Sequence, residues 1–259
     1  MNRQLMFCVL TAAAVWAAPS AKAALLAVDI NDRTVGDPGP ADPANTAPGF
    51  LPYVISSGTS STGVVGGYTL NFDVFDDGDA NDGGAAGNQP GAFDDRDRVV
   101  PTGAPTLNEI YDDFLFVGGS AGPVGGIDMR ISGGALLPNT PYLVSVYAYD
   151  GIDANFGSAT QTRTANWFDG NNGDAMVFTT QFTVNMPPTT DDQYKFTGVA
   201  ITDGAGQLFL KGRRVTAADL AVYVNGVVVD AIPEPATLVL AGVGGLALWA
   251  AAGRGRPKT

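Results

Sequence analysis

Tyr142-Leu143-Val144-Ser145-Val146-Tyr147-Ala148-Tyr149 is the most strand-like stretch of the chain, rich in β-branched and aromatic side chains. Working outward, Tyr68-Thr69-Leu70-Asn71-Phe72-Asp73-Val74-Phe75 alternates apolar and polar residues, the period of a half-buried strand. Leu25 to Ile30, Met176 to Val184, Tyr194 to Ile201, Gln207 to Lys211 and Leu220 to Val229 continue the series, separated by Gly, Pro, Asn and Asp. Asn225-Gly226, between two valine-rich triplets, predicts a type I′ hairpin. Only Leu107 to Leu115 reads as a helix, with Leu107, Ile110, Tyr111 and Phe114 on one face. Strands throughout and almost no helix predict an all-β fold, a jelly-roll-like β-sandwich.

Composition narrows the chemistry. The chain has 259 residues, 45% of them hydrophobic, enough for a proper core. Gly 34 and Pro 17 make it turn-rich, and 15% charged residues exclude a coiled coil. There is no His, which removes His-based triads and His-ligated zinc. The net charge of -12 argues against nucleic acid as a partner, because phosphate binding needs clustered Lys and Arg.

Both ends read as address labels. Arg3, the apolar stretch Leu5 to Ala18, and Ala21-Lys22-Ala23 predict a signal peptide over residues 1–23, cleaved after Ala23. The single Cys, Cys8, lies inside it, so no disulfide is expected in the exported body. At the other end Pro233-Glu234-Pro235 precedes a charge-free stretch from Ala236 to Ala252, then Arg254, Arg256 and Lys258. As a helix that stretch covers about 25 Å, the low end for a transmembrane span. The bases should stay cytoplasmic, leaving the body, residues 24–231, on the far side of the inner membrane.

In that order at the terminus, these three features resemble the PEP-CTERM sorting signal of Gram-negative bacteria, over residues 232–259. The resemblance implies recognition and cleavage by an exosortase, a membrane transpeptidase-like cysteine protease. It further implies passage through the inner membrane to the cell surface, the outer membrane or the extracellular polysaccharide matrix. Gly and Pro interrupt the basic run here, a mild departure from the family pattern.

The body itself diffusely resembles two sandwich types. Leu136-Leu137-Pro138-Asn139-Thr140-Pro141-Tyr142 is similar to the Leu–turn–Tyr segment of fibronectin type III domains, of which two would be needed. The larger jelly roll of galactose-binding-like and malectin-like carbohydrate-binding modules is the preferred reading, because no linker divides the body. In that fold the first and last strands can pair as neighbours.

Several polar clusters invite a ligand. Asp77-x-Asp79-x-Asn81, with Asp82, imitates the start of an EF-hand loop, but Asp82 stands where Gly is required and Asn88 where a bidentate Glu is required. A looser calcium site there, with calcium as the candidate cofactor, competes with a solvated turn. Arg98 is placed to fork the hydroxyls of a sugar, though such mixed-charge runs more often pair locally. Asp150 sits at a sandwich rim, where a plain Asp-Gly turn is the alternative. Trp167 precedes Asp169-Gly170-Asn171-Asn172-Gly173-Asp174 and offers a stacking face beside hydrogen-bonding groups, though the same loop also suits an ordinary hairpin. The expected function is an exported structural or adhesive protein with no enzymatic activity and polysaccharide as its partner. The alternatives are a glycoside-processing enzyme using Asp or Glu carboxylates, and a calcium-stiffened spacer without ligand.

Overall fold

The computed structural model describes residues 24–31, 46–55, 58–75, 94–97, 106–111, 113–118, 126–151, 161–184, 186–216 and 221–232. These residues form fourteen strands: β1 (Leu26–Asn31), β2 (Leu51–Val54), β3 (Ser60–Val65), β4 (Tyr68–Val74), β5 (Asp94–Asp97), β6 (Asp113–Gly118), β7 (Gly126–Gly133), β8 (Pro141–Tyr147), β9 (Thr162–Asp169), β10 (Ala175–Thr183), β11 (Lys195–Ile201), β12 (Leu208–Arg214), β13 (Ala221–Val224) and β14 (Gly226–Ala231). One sheet runs β11-β8-β14-β1-β2, a second β10-β9-β12-β7-β4-β3, and a third, of three strands, β13-β6-β5. Both large sheets draw strands from early and late in the chain, so this is one interleaved all-β sandwich rather than two small ones in series. The first and last strands pair antiparallel, Val28 opposite Val227.

Period-two alternation places the core. Val28, Ile30, Val144, Val146, Val227 and Val229 line the inner face of the five-stranded sheet, each 0% exposed. Leu70, Phe72, Met129, Ile131, Leu208 and Leu210 answer from the six-stranded sheet. Tyr53 of β2 bridges the sheets, its ring 5.4 Å from Phe72 and its hydroxyl bonded to Ser61. At the opposite edge Gly198 of β11 lies so close to β10 that a Cβ there would stand 2.4 Å from the Val177 carbonyl. The three-stranded sheet meets the core through Tyr223, whose ring lies 5.2 Å from that of Phe182.

Two local expectations change. The apolar run from Leu107 resolves into a short 3-10 turn, Asn108–Tyr111, followed by the strand β6. Phe114 through Val117 are all buried, and an apolar run covered on both faces has no period to separate helix from strand. Asn225-Gly226 is not a hairpin. Neither residue has the positive φ that a type I′ turn demands, and β13 and β14 belong to different sheets. Asn225 is instead a fully buried crossing point. Its N–H donates to Tyr147 O and its carbonyl accepts from Ile30 N, at 2.9 and 2.8 Å. Its side chain accepts from Tyr149 N at 2.7 Å and donates to Asp113 O at 2.8 Å.

Candidate functional site

The outer face of the six-stranded sheet carries the polar half of the alternation. On β12, Phe209, Lys211 and Arg213 point outward while Leu208, Leu210 and Gly212 point in. Register places Arg130 of β7 beside Phe209 and Asp128 beside Lys211. On the other flank Phe168 of β9 lies opposite Lys211, and Asn166 opposite Arg213. Between them is a shallow cleft of about 240 Å³ lined by Phe75, Phe168, Asp174, Lys211 and Arg213.

Electrostatics fixes these groups in place. Arg213 Nη2 donates to Asp128 Oδ1 at 2.6 Å, its Nη1 donates to Gly212 O at 2.9 Å, and its guanidinium lies 3.6 Å from the Phe75 ring centre. Burial pushes the Asp128 carboxyl above its usual range, against the opposing pull of Arg213, Arg130 and Lys211. Lys211 Nζ donates to the exposed Asp174 at 2.9 Å and lies 5.2 Å from the Phe209 ring centre, with Arg130 4.1 Å from the same ring. Phe168 is half-buried, and its register partner Met176 is 65% exposed. The cleft therefore offers an apolar floor, an ammonium at its rim and a carboxylate beside it.

The sequence-predicted residues fare differently. Trp167 is 0% exposed and packs on Phe178, ring centres 5.9 Å apart, so its faces are closed to a sugar. Asp150 follows β8 in the other large sheet and is 9% exposed. Arg98 and the proposed calcium loop of Asp77, Asp79, Asn81 and Asp82 lie outside the described residues, as do Pro233, Glu234, Pro235, Arg254, Arg256 and Lys258. The Asp169–Asp174 segment is a hairpin turn. Asp169 accepts from Asn171 N and Ile201 N, and Asn171 donates to the carbonyls of Ile201 and Gln207, which spends both side chains on the backbone. Phe168, Lys211 and Arg213 were missed, although the alternation of Leu208 to Arg213 assigns an outward face. Among the described residues no group of three His, Cys, Asp or Glu is arranged to hold a metal, and no helix is long and apolar enough to cross a membrane. The span expected over Ala236 to Ala252 lies outside them.

Comparison with known proteins finds partial likenesses. One is to the CBM22-1–GH10 modules of Clostridium thermocellum endo-1,4-β-D-xylanase 10B complexed with xylohexaose, at 11% identity, 47% of this chain, 22% of that one and TM-score 0.30. Another is to an arabinose-bound MgGH51 α-L-arabinofuranosidase, at 10% identity, 68% of this chain, 24% of that one and TM-score 0.30. A third is to the C-terminal family 22 carbohydrate-binding module of the Clostridium thermocellum xylanase, at 13% identity, 48% of this chain, 76% of that one and TM-score 0.21. The chain thus spans less than a quarter of the length of the first two. No curated protein matches it. Residues 231–256, beginning where β14 ends, match the PEP-CTERM protein-sorting motif, which marks an exported, membrane-sorted protein.

Proposed function

We propose that this exported protein is processed by an exosortase, is retained at the cell surface or in the extracellular matrix, and binds polysaccharide without catalysing its hydrolysis. The observation that carries the binding is the outer-face cleft. A half-buried Phe168 presents an apolar surface for the C–H face of a sugar, and Lys211 and Asp174 present a donor and an acceptor for its hydroxyls. The cleft is shallow, which suits a segment of polymer better than an enclosed small molecule. The acidic chain repels polyanions, so the favoured polymers are neutral or bridged by divalent cations. Asp73 and Asp128 are cross-strand neighbours on this face, and a glycosidase needs a pair of carboxylates that reach its substrate. Both are 1% exposed, and neither offers an oxygen to a glycosidic bond, which supports binding over hydrolysis.

A glycan array probed with the full-length chain, in calcium and in chelator, tests the reading. The expected result is binding to at least one neutral or cation-bridged polysaccharide, reduced about tenfold or more, the ~1.4 kcal/mol of a lost stacking contact, by Phe168→Ala. Silence on every glycan in both conditions, or binding indifferent to Phe168→Ala and Lys211→Ala, removes this site.

A further inference from the structure

The outer face of the five-stranded sheet contains a second polar cluster, in which several buried side-chain atoms have no hydrogen-bond partner. Asp29 and Asn31 stand two apart on β1, so both project from the face opposite Val28 and Ile30. They are 0% and 1% exposed. The strand position opposite Asp29 on β14 is Gly226, and a Cβ there would stand 2.6 Å from Ile110 Cδ1. The 3-10 turn therefore lies over the Asp29 face of the sheet, and it carries Glu109 beside Ile110. Residue 47 closes another side, with Ala47 N donating to Asp29 Oδ2 at 2.7 Å.

Asp29 Oδ1, Asn31 Oδ1 and Nδ2, and Glu109 Oε2 are buried with no hydrogen-bond partner among the described residues. Native structures rarely bury a polar atom unsatisfied, and the cost is larger for a carboxylate oxygen than for a neutral one. Burial pushes the Asp29 carboxyl up to about 7, against the Ala47 N–H, which lowers it, and with the Glu109 carboxylate, which raises it further.

Here we propose a divalent-cation site, for calcium, held by the side-chain oxygens of Asp29, Asn31 and Glu109. All three donors are hard oxygens of the kind calcium prefers, with backbone carbonyls or waters completing its roughly six to eight ligands. Zinc and copper prefer nitrogen and sulfur, which this cluster lacks. Magnesium demands near-octahedral geometry and keeps several waters, which a cluster buried under the 3-10 turn disfavours. The ion would tie the 3-10 turn to β1 and neutralise the buried acids. Its residues are other than the calcium candidates Asp77 to Asp82 and other than those lining the polysaccharide cleft.

Terbium luminescence on the chelator-treated full-length chain tests it, because Tyr111 in the same turn can sensitise a lanthanide bound there. Expected are sensitised emission that calcium displaces far better than magnesium, and a melting temperature about 5–10 °C higher at a hundred times the calcium Kd than in chelator. Asp29→Asn and Glu109→Gln should each weaken binding at least tenfold, while the double variant Asp77→Asn/Asp79→Asn leaves it unchanged. Asp29→Asn keeps an acceptor for Ala47 N and removes one buried charge. In chelator it should therefore melt no lower than wild type, and the calcium shift should shrink. The proposal is overturned by absent emission, by no chelator effect on melting, or by binding that survives Asp29→Asn and Glu109→Gln. It is equally overturned if binding follows the Asp77/Asp79 variant, or if Asp29→Asn lowers the melting temperature equally with and without calcium.

Discussion

Asn225→Ala is a sharp probe of how the sandwich is closed. The substitution keeps the backbone bonds to Tyr147 and Ile30 but deletes both side-chain bonds. Tyr149 N–H and Asp113 C=O are then left unsatisfied around a residue that is 0% exposed. Each orphaned group costs about 1–3 kcal/mol, so the loss is about 2–6 kcal/mol, and about 4 kcal/mol is the central expectation. For a body of this size that lowers the melting temperature by about 8–16 °C. In a solvent-exposed hairpin, by contrast, the same change would cost about 0.5 kcal/mol or less. Urea denaturation of the full-length chain, followed by fluorescence and circular dichroism, separates the two. Asn225→Asp sharpens the test. It retains an acceptor for Tyr149 N but turns a charged oxygen toward the Asp113 carbonyl. Burial raises the folded pKa of that Asp above its unfolded value. Its destabilisation should therefore grow as pH rises through the unfolded value and relax as pH falls, when the protonated acid can donate to Asp113 O. A cost for Asn225→Ala below about 1 kcal/mol, or no pH dependence for Asn225→Asp, would refute the crossing role.

Two other outcomes follow from buried ionisable groups. Tyr111, Tyr147 and Tyr149 are pushed well above the ordinary phenol range, chiefly by burial, and Tyr53 and Tyr194 are raised as well. Folded pKa values above the unfolded value of about 10 mean that this contribution to stability is complete below pH ~10 and is lost as pH rises further. Tyrosinate absorbance of these rings should appear in one step with the loss of circular dichroism; gradual ionisation of a native fold would contradict it. Arg213→Met strands the Asp128 carboxylate, whose side chain is 2% exposed. Arg130 and Lys211 remain to offset part of that, so the expected cost is about 2 kcal/mol, below the usual figure for breaking a buried pair. Asp128→Asn in the Arg213→Met background should recover most of it, and strictly additive losses would show that the two groups are not coupled.

How much of this was legible depends on whether apolar residues kept to one face. β4 and β8 were readable because their inward positions hold Tyr, Leu, Phe or Val at period two, and β10, β11 and β12 because enough of theirs do, Phe178 and Phe182, Phe196 and Ala200, Leu208 and Leu210. β9 was not, since its inward positions include Arg163 along with Ala165 and Trp167. β7 alternates Ile127, Met129 and Ile131 cleanly, but glycines at both ends and the charges of Asp128 and Arg130 broke the run. β2 and β3 are edge strands with much of their length exposed, so they carry little burial pattern. The buried cluster on β1 escaped notice for the opposite reason. Asp29 and Asn31 look like the polar half of an ordinary alternating strand, and nothing local says that a 3-10 turn 80 residues later lies over them.

The misassigned aromatic shows where the missing information resides. Trp167 and Phe168 are adjacent, so one must enter the core and the other must face outward. On size and sugar-stacking chemistry alone Trp167 was the natural choice for the surface. The deciding residue is Gly212, which pairs with Trp167 across β9 and β12. A Cβ on Gly212 would stand 3.0 Å from the indole ring and 3.0 Å from Val222 Cγ1, so the absent side chain is the space that admits the indole. Once Trp167 is inside, Phe168 is outside, and the same parity puts Lys211 and Arg213 beside it. The chemistry of the outer face was therefore encoded in a glycine 45 residues from the tryptophan it accommodates, and it becomes readable only when the strand pairing is known.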